Sequence, residues 1–540
     1  MRLMQRVLAA GGIAAALCVS AAASDWGNYG GNNARNGRSD EIGPHAVDLL
    51  WSNATDFSII AWHPFTLGDR VFTIRESGFP QNGGSANDAL IAYDLETGTE
   101  LWRTTLSFGG DTNTEWIAWL GGARDGKVYA SRASNAKPQP IKAFDAATGA
   151  LLWTSAWTTE AWAHDGLVFA PDGDLIVGEF RHVTRINQQD GATVWTTPRT
   201  GSVSGNCGAA VTATAVYIDE SAPGGNVLTR IDMATGARLY SSPVMSGVTN
   251  QNSPFLSRDG GTIYFSRTQN NATVDFLYAF QDDGSQFTQL WSRPVRWTTS
   301  HEHGLGADGS IYTFLANNEF VRLDPANGNV LNSAGILSPI GTSNLSPKTA
   351  VEQNGNVYVS NGWASNPAGD GRLWAFNADL SINLFTLSLD RQNAGGPAIG
   401  RDGTLLVADR TGVFAYHSSW TDLGFSLAGA TGAPRLLGQG QLLPNSEASL
   451  TLSNALSNST AGLVLGLQNI SVPFKGGTLV PSPDQLFLGL PTGPQGEIPL
   501  TIQVPPVVPP GVALFLQYWI TDPAGPRGYA ASNAVTVTTP

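Results

Sequence analysis

Cysteine is nearly absent from this chain of 540 residues, and its scarcity limits the available chemistry. The two cysteines are Cys18 and Cys207. Cys18 lies in the apolar N-terminal stretch described below, so Cys207 alone remains and no intrachain disulfide is expected. A lone cysteine of this kind is either a reactive thiol or, more commonly, a buried and inert side chain. No C-x-x-C-H motif is present, which excludes covalent haem attachment of the usual kind.

Charge is also sparse, and positive charge is the scarcer sign. Charged residues make up 14% of the chain, and the formal net charge is −13. Nucleic acids and anionic membranes attract basic surfaces, so neither is expected as a partner. After the N-terminal stretch, no apolar run is long enough to span a bilayer, which predicts a protein without a transmembrane segment.

The N-terminal residues have the pattern of a secretory signal peptide. Met1 to Arg6 is a basic region, and Val7 to Val19 is apolar but too short and too rich in small residues to span a membrane. Ala21-Ala22-Ala23 supplies a cleavage site, so residues 1–23 are predicted to be removed. The mature chain is therefore expected in the periplasm, on the cell surface or outside the cell.

Glycine and tryptophan are abundant, with 62 and 16 copies, and they recur in a repeat. The stretch Ala92 to Trp102 places an Asp, a Thr-Gly turn and a Leu-Trp pair at fixed spacing, and Ala143 to Trp153 repeats it almost unchanged. Five weaker copies follow, up to Phe385. A period of roughly 40–50 residues is typical of a solenoid or a propeller.

A second pattern precedes each repeat. Asp-Gly or Asn-Gly turns, such as Asp125-Gly126 and Asn354-Gly355, lie between β-branched or aromatic runs. Such dipeptides are strong hairpin signals, so each unit is predicted to be four antiparallel strands, one propeller blade. We expect eight blades, which end at Trp51, Trp102, Trp153, Trp195, Tyr240, Trp291, Asn332 and Phe385.

These motifs resemble the pyrroloquinoline-quinone (PQQ) type repeat, A-x-D-x-x-T-G-x-x-x-W. The resemblance implies an all-β protein with an eight-bladed β-propeller over residues 24–424. Asp25 to Gly37 looks like the lead-in found before the first blade of this family. The propeller is expected to close through the strand at 47–51, with Leu49–Trp51 pairing near Val413–Tyr416. The family includes quinoprotein dehydrogenases and the non-enzymatic BamB-like propellers of the cell envelope.

The repeat stops near Phe425, and residues 425–540 have a different pattern. Short alternating runs, such as Ala448 to Leu452, are separated by Pro/Gly turns. This spacing predicts a C-terminal β-sandwich, interpreted as a spacer or a surface-attachment module.

Ligand sites in a propeller concentrate where the innermost strands begin, at one mouth of the channel. Alignment back from the Asp-Gly turns places several polar and aromatic residues at this depth. The predicted ligand-binding residues are Trp62, Trp119, His164, Asp165, Asn206, Asn252, His301, Glu302 and Lys348.

Two chemistries are open for these residues. His301 and His303 would point to one face of a strand and can share a metal, with His164 or His63 as a third ligand. The alternative is that these histidines are hydrated and form hydrogen bonds with neighbouring residues at the channel rim. Trp62 and Trp119 either stack on a planar or sugar ligand or pack between blades.

The resemblance also bears on cofactors. Quinoprotein dehydrogenases hold their quinone between a Trp and a ring of adjacent cysteines, beside Ca²⁺, and adjacent cysteines are missing here. PQQ with Ca²⁺ is therefore possible but is not the leading expectation. We expect a secreted, monomeric, non-catalytic scaffold that binds a protein, a small molecule or a carbohydrate. The competing interpretation is a quinone- or metal-dependent oxidoreductase that uses the same channel mouth.

Overall fold

The regular secondary structure of the described residues is almost entirely β-strand. The computed structural model describes residues 25–54, 58, 61–75, 88–106, 117–133, 138–159, 167–201, 208–247, 253–268, 274–296, 303–341, 346–364 and 366–539. The predicted signal peptide lies outside these residues. Two 3-10 turns, Arg401–Gly403 and Pro526–Gly528, interrupt the strands.

The repeat region contributes strands β1 to β33. In chain order they are β1 (Asp48–Asn53), β2 (Phe65–Leu67), β3 (Arg70–Arg75), β4 (Ala89–Asp94), β5 (Glu100–Thr105), β6 (Ile117–Arg124), β7 (Lys127–Ala133), β8 (Gln139–Asp145), β9 (Leu151–Thr159), β10 (Leu167–Phe169), β11 (Leu175–Gly178), β12 (His182–Ile186), β13 (Thr193–Pro198), β14 (Ala210–Val211), β15 (Ala215–Ala222), β16 (Gly225–Asp232) and β17 (Arg238–Ser241). They continue with β18 (Met245–Ser246), β19 (Phe255–Leu256), β20 (Thr262–Thr268), β21 (Val274–Asp282), β22 (Phe287–Arg296), β23 (Gly304–Leu305), β24 (Ile311–Phe314), β25 (Glu319–Leu323), β26 (Val330–Ile336), β27 (Ser346–Val351), β28 (Val357–Trp363), β29 (Gly371–Phe376), β30 (Asn383–Leu389), β31 (Gly395–Ile399), β32 (Leu405–Ala408) and β33 (Val413–His417).

Within the described residues these strands form antiparallel sheets of four, numbered here I to VIII in chain order. Sheets I to VII each take four consecutive strands, which begin at β2, β6, β10, β14, β19, β23 and β27. The short strand β18 also pairs with β16 in sheet IV. Sheet VIII consists of β31, β32, β33 and the N-terminal strand β1. The first strand of a sheet commonly contacts the first strand of the next, as β2 contacts β6 and β27 contacts β31.

Strand β1 joins the two ends of the repeat region. Leu49 pairs with Tyr416 and Trp51 pairs with Ala415 in an antiparallel ladder. This is the strand pairing that the sequence predicted. It completes the sheet whose other three strands come from the end of the region, so one sheet holds residues from both ends.

The D-x-x-T-G motif is a self-contained turn. Asp94 Oδ1 accepts hydrogen bonds at 2.8 Å from both the backbone N–H and the hydroxyl of Thr97. These bonds to Thr97 stabilise the charged carboxylate and lower the pKa of Asp94. Gly98 then takes a φ of 68°, a left-handed conformation that favours glycine. The turns at Asp145 and Asp232 repeat this arrangement.

The tryptophan that ends one sheet packs on the glycine turn of the next. The indole N–H of Trp51 donates to the Leu95 carbonyl at 2.8 Å, and that of Trp153 donates to Gln188 at 3.0 Å. Trp102, Trp195 and Trp291 make the corresponding bonds one sheet further on. The repeat therefore encodes contacts between sheets as well as the turn inside each sheet, and clusters of buried apolar side chains lie between consecutive sheets.

The C-terminal region contributes strands β34 to β44. They are β34 (Trp420–Gly424), β35 (Arg435–Gln439), β36 (Glu447–Ser453), β37 (Thr460–Gly466), β38 (Asn469–Phe474), β39 (Gly477–Pro481), β40 (Gln485–Pro491), β41 (Ile498–Gln503), β42 (Ala513–Thr521), β43 (Tyr529–Ala531) and β44 (Ala534–Thr538). One sheet has the order β34-β44-β42-β37-β40 with β43 beside β42, a second has the order β35-β36-β41, and β38 pairs with β39. Apolar residues from the first two sheets form one buried cluster.

The two regions meet earlier than the sequence suggested. Trp420 pairs with Val537 in the C-terminal sheet and is buried with the C-terminal core. Residues 420–424, which the sequence analysis placed with the propeller, therefore pair with the C-terminal strands. Asp48 of β1 bridges the regions, because its carboxylate accepts the N–H groups of Gly440 at 2.9 Å and Ser419 at 3.2 Å.

Candidate functional site

A segment before β1 runs past the first strands of all eight sheets. We call residues 25–43 the N-terminal strap. Trp26 O accepts the Thr66 N–H of sheet I at 2.9 Å, and Gly27 O accepts the Ala123 N–H of sheet II at 2.7 Å. Asn33 serves two sheets, because its side-chain Oδ1 accepts the Phe169 N–H and its carbonyl accepts the Val211 N–H, each at 3.0 Å.

The strap continues in the same order along the remaining sheets. Ala34 O and Asn36 O accept the N–H groups of Leu256 and Leu305, both at 2.8 Å. Gly37 O accepts the Val351 N–H of sheet VII at 2.7 Å. At sheet VIII the approach is so close that a Cβ on Gly403 would lie 1.8 Å from Ile42 O. The strap thus meets the far ends of the first strands, beyond the predicted mouth.

Aromatic side chains of the strap are buried among sheets I and VII. The ring of His63 stacks on Trp26 with centroids 5.8 Å apart, and Tyr29 meets His63 edge-on at 5.6 Å. Lys348 Nζ lies 5.1 Å from the Tyr29 ring centroid, within cation–π range. His63 Nε2 is also 3.0 Å from the Pro397 carbonyl of sheet VIII. One cluster therefore joins the strap to sheets I, VII and VIII.

His303 lies just before β23, the first strand of sheet VI. Its ring stacks on Phe255 at a centroid distance of 4.8 Å and an interplanar angle of 21°. Burial disfavours the charged imidazolium and lowers the pKa of His303 to about 3. The neutral ring therefore packs as part of the inter-sheet core. Among the described residues no group of three His, Cys, Asp or Glu side chains is arranged to hold a metal ion.

The structure places five of the candidate residues singled out by the sequence. Trp62, His63, Trp119, His303 and Lys348 are all buried, and Trp119 has 0% of its surface exposed. Trp119 packs against β10, because a Cβ on Gly121 would lie 2.8 Å from its ring and 3.0 Å from Leu167. Packing between sheets, the alternative left open for Trp119, thus describes its surroundings. The remaining predicted residues lie outside the described parts of the chain: His164, Asp165, Asn206, Asn252, His301 and Glu302.

Sequence reasoning did not identify the strap residues as part of the site. Trp26, Tyr29, Asn33 and Arg35 are buried or half-buried there, and Arg35 Nε donates to the Ala209 carbonyl at 2.8 Å. The available signal was the run of glycine and asparagine in the lead-in, which is dense in residues that accept tight turns. Glu352 was also missed. Burial raises its pKa, although it accepts the N–H groups of Asn354 and Asn356.

Among the described residues at the predicted mouth, few side chains could be ligands of the Ca²⁺ that accompanies PQQ in the quinoprotein dehydrogenases. Ca²⁺ takes about six to eight oxygen ligands, with carboxylates prominent among them. At this level the described side chains are Trp62, Trp119, Ser253 and Lys348, which supply one hydroxyl and one cation. The carboxylates predicted here, Asp165 and Glu302, fall outside the described residues. No step through a bound quinone follows from this donor set.

Comparison with known proteins gives one family. Residues 86–334 match the family model described as outer membrane protein assembly factor BamB. No curated relative matches the sequence. Among the described residues, no helix has the length and hydrophobicity to cross a membrane.

Solved structures with a similar fold are distant in sequence. BamB from Moraxella catarrhalis is 15% identical, with 68% of this chain and 99% of that chain covered at a TM-score of 0.48. Quinohemoprotein alcohol dehydrogenase from Comamonas testosteroni is 12% identical, with 73% and 80% covered at 0.49. The Dos1 propeller is 11% identical, with 70% and 96% covered at 0.49.

The family match falls on the part of the chain where the turn motif is most regular. It spans the turns at Asp94, Asp145 and Asp232 and the tryptophans that pack on the following turns. Residues 86–334 are therefore similar in sequence to the PQQ-like β-propeller family.

Proposed function

We propose that this protein is an exported, non-catalytic binding scaffold of the cell envelope, built from an eight-bladed propeller and a C-terminal β-sandwich. The eight sheets supply the blades. Pairing of β1 with β33 supports closure of the ring, and contacts between successive first strands support a common axis. The buried cluster between the two larger C-terminal sheets supports the sandwich.

The strap is the observation that carries the proposal. It bonds to the far ends of the first strands, and its side chains Trp26 and Tyr29 are buried, which supports a central space closed at that end. A ligand would then enter only from the opposite mouth, where the loops between blades meet. A cup closed at one end offers a broad rim for a protein or a carbohydrate.

Export and partner class follow from the sequence and the family. The predicted signal peptide supports export, and the family model is named for an outer membrane protein assembly factor. The net charge of −13 disfavours nucleic acid. At the rim, the predicted His301 and Glu302 would orient a polar partner, whereas Trp62 and Lys348 are buried and Lys348 lies against Tyr29 of the strap. We propose that the propeller itself works as a monomer.

A two-part experiment tests the proposal. The mature chain is mixed with PQQ and Ca²⁺, passed through gel filtration, and assayed for a retained chromophore and for dye reduction with alcohols and aldoses. We expect neither. In parallel, immobilised wild-type protein captures partners from an envelope extract, beside a variant of a predicted rim residue, His301→Ala, and the control Leu331→Ala on the exposed outer strand β26.

The outcomes separate the alternatives. A partner captured by the wild type and by Leu331→Ala but lost with His301→Ala supports the scaffold. Stoichiometric quinone with turnover would establish the oxidoreductase instead. Equal capture by all three proteins would indicate that the binding surface lies outside the channel mouth.

A further inference from the structure

The C-terminal sheet leaves part of one face uncovered. Its other face packs on the core shared with β35, β36 and β41. On the outer face Val464 and Trp519 are buried in a small cluster beside the hairpin of β38 and β39. The rest is an open groove of about 340 Å³ between the hairpin and the edge strand β40. Its lining consists of Thr460, Ala461, Gly462, Val464, Phe474, Lys475, Leu486, Leu488, Gly489, Trp519, Thr521 and Tyr529.

The walls of the groove are large apolar side chains. Phe474 meets Trp519 edge-on with centroids 4.9 Å apart, which fixes one wall. Leu488 forms the other wall and is 73% exposed, although a folded protein gains by burying a leucine. Gly462 lies at the floor of the groove and leaves room for Leu488, because a Cβ at this position would lie 2.9 Å from Leu488 Cδ2. An apolar patch of this kind is typical of an interaction site.

Strand β40 adds backbone groups to the groove. In the described residues it pairs only with β37, so its outer edge has no strand partner. The segment Gln485 to Pro491 carries no charge, and Leu486 and Phe487 are exposed beside Leu488. Exposed edges are usually protected by charged side chains. A ligand with its own backbone, which is a peptide, can hydrogen-bond to this edge while its side chains enter the groove.

The positive charge at the groove favours peptides that carry a carboxylate. Lys475 is the one charged residue in the lining, and its Nζ lies 4.3 Å from the Tyr529 ring centroid. Arg527 is exposed on the neighbouring turn, which is close because a Cβ on Gly476 would lie 2.8 Å from Pro526 Cβ. Both cations stand out in a chain with a net charge of −13. They complement a carboxylate at the same end of the ligand.

We propose that this groove docks an extended apolar peptide segment of another protein, with a carboxylate placed at Lys475. The segment adds to the edge of β40 and inserts alternate side chains between Phe474 and Leu488. The site is separate from the propeller mouth, so it stands whether or not the mouth binds a ligand. It also gives the C-terminal region a role in recruitment in place of a passive spacer.

Fluorescence anisotropy of the mature chain with labelled heptapeptides tests the proposal. The probes alternate threonine with leucine, valine or phenylalanine, and each is made with a free C-terminal carboxylate and with a C-terminal amide. We expect saturable binding of at least one carboxylate peptide at micromolar to millimolar concentration. Its amide should bind about 5- to 10-fold more weakly, as the loss of one partly exposed charge contact predicts.

Variants connect the binding to the groove. Lys475→Gln should lower the affinity for the carboxylate peptide to that for the amide peptide, whereas Lys475→Arg should preserve the difference between the two affinities. Leu488→Asp should abolish binding of both forms. Val507→Asp is the matched control, because Val507 is 83% exposed and does not line the groove. Melting temperatures of all variants establish that they are folded.

Three results would overturn the proposal. The first is no saturable binding by any peptide of the set up to millimolar concentration. The second is binding that Leu488→Asp and Val507→Asp weaken equally. The third is a dimer in sedimentation velocity that Leu488→Asp dissociates, which would assign the groove to a second copy of this chain.

Discussion

Trp102 lies directly on the backbone of Gly149, in the turn of the next sheet. A Cβ on Gly149 would be 2.5 Å from Cε3 of the indole, and the indole N–H donates to the Ala146 carbonyl at 3.0 Å. The same pair recurs for Trp51 with Gly98 and for Trp195 with Gly236. Each glycine therefore has two reasons to lack a side chain: its positive φ and the ring above it.

Substituting Gly149 should separate the effect of its positive φ from the effect of the indole ring above it. Gly149→Ala should lower the free energy of unfolding by about 2–4 kcal/mol, since left-handed strain and overpacking add. Gly126→Ala is the matched control, because Gly126 has a φ of 74° but a Cβ there would meet nothing within 4 Å. It should cost only about 1 kcal/mol. Urea unfolding measures both, and equal losses would contradict the docking role of Trp102.

Asn33 should be the most sensitive polar residue of the strap. Its Oδ1 accepts the buried Phe169 N–H, so Asn33→Ala leaves a donor of sheet III without that acceptor. We expect a loss of about 1–3 kcal/mol, with faster hydrogen exchange at Phe169 and Val211. Asn327→Ala, in an exposed turn, is the control and should leave both amides protected. Unchanged exchange in Asn33→Ala would mean that the strap is not held at this point.

His303 should make the protein less stable in mild acid. Its folded pKa of about 3 lies below the ordinary value of 6.5, so between these values the unfolded chain binds a proton that the folded chain does not. Stability is therefore complete above pH 6.5 and falls as the pH drops towards 3, by up to about 1.4 kcal/mol per pH unit.

The replacement His303→Phe isolates this contribution. Burial also lowers the pKa values of His45 and His417, so the wild-type slope contains more than one group. Phenylalanine can keep the stacking on Phe255 and removes the titration. Urea unfolding at pH 7, 6 and 5 should show a smaller loss of stability in the variant. Parallel curves for the two proteins would exclude His303 as a source of acid sensitivity.

Asp48 should couple the C-terminal region to the closing sheet. Its carboxylate bridges β1 to Gly440 and Ser419, and Gln441 Nε2 lies 3.2 Å from His417 Nε2 nearby. Asp48→Ala should split a single calorimetric transition into two and speed proteolysis near residues 423–434. Glu96→Ala, in an exposed turn, serves as the control. A wild-type protein that already shows two transitions would contradict the coupling.

Local patterns in the sequence revealed more of the fold than of the site. The turn at Asp94 and the tryptophan eight residues later lie within one short stretch, so their spacing is visible in the sequence. The strap was not visible in this way. It binds mainly through backbone groups, and the Gly37 carbonyl that accepts the Val351 N–H leaves no residue pattern. The burial of Trp119 could not be predicted either. Counting residues back from the Asp-Gly turn gives its position on the strand, but its complete burial depends on its contacts with Leu167 and Gly121 in the folded protein.

The strap also determines the order in which the chain can be completed. Residues 25–48 are synthesised well before their partners: Arg35 bonds to a residue 174 positions away, Asn36 to one 220 away and Asp48 to one 392 away. Loops of this length close slowly, and none of these bonds can form before the distant residue exists. This early segment of the polypeptide must therefore wait for the last strands before it is secured.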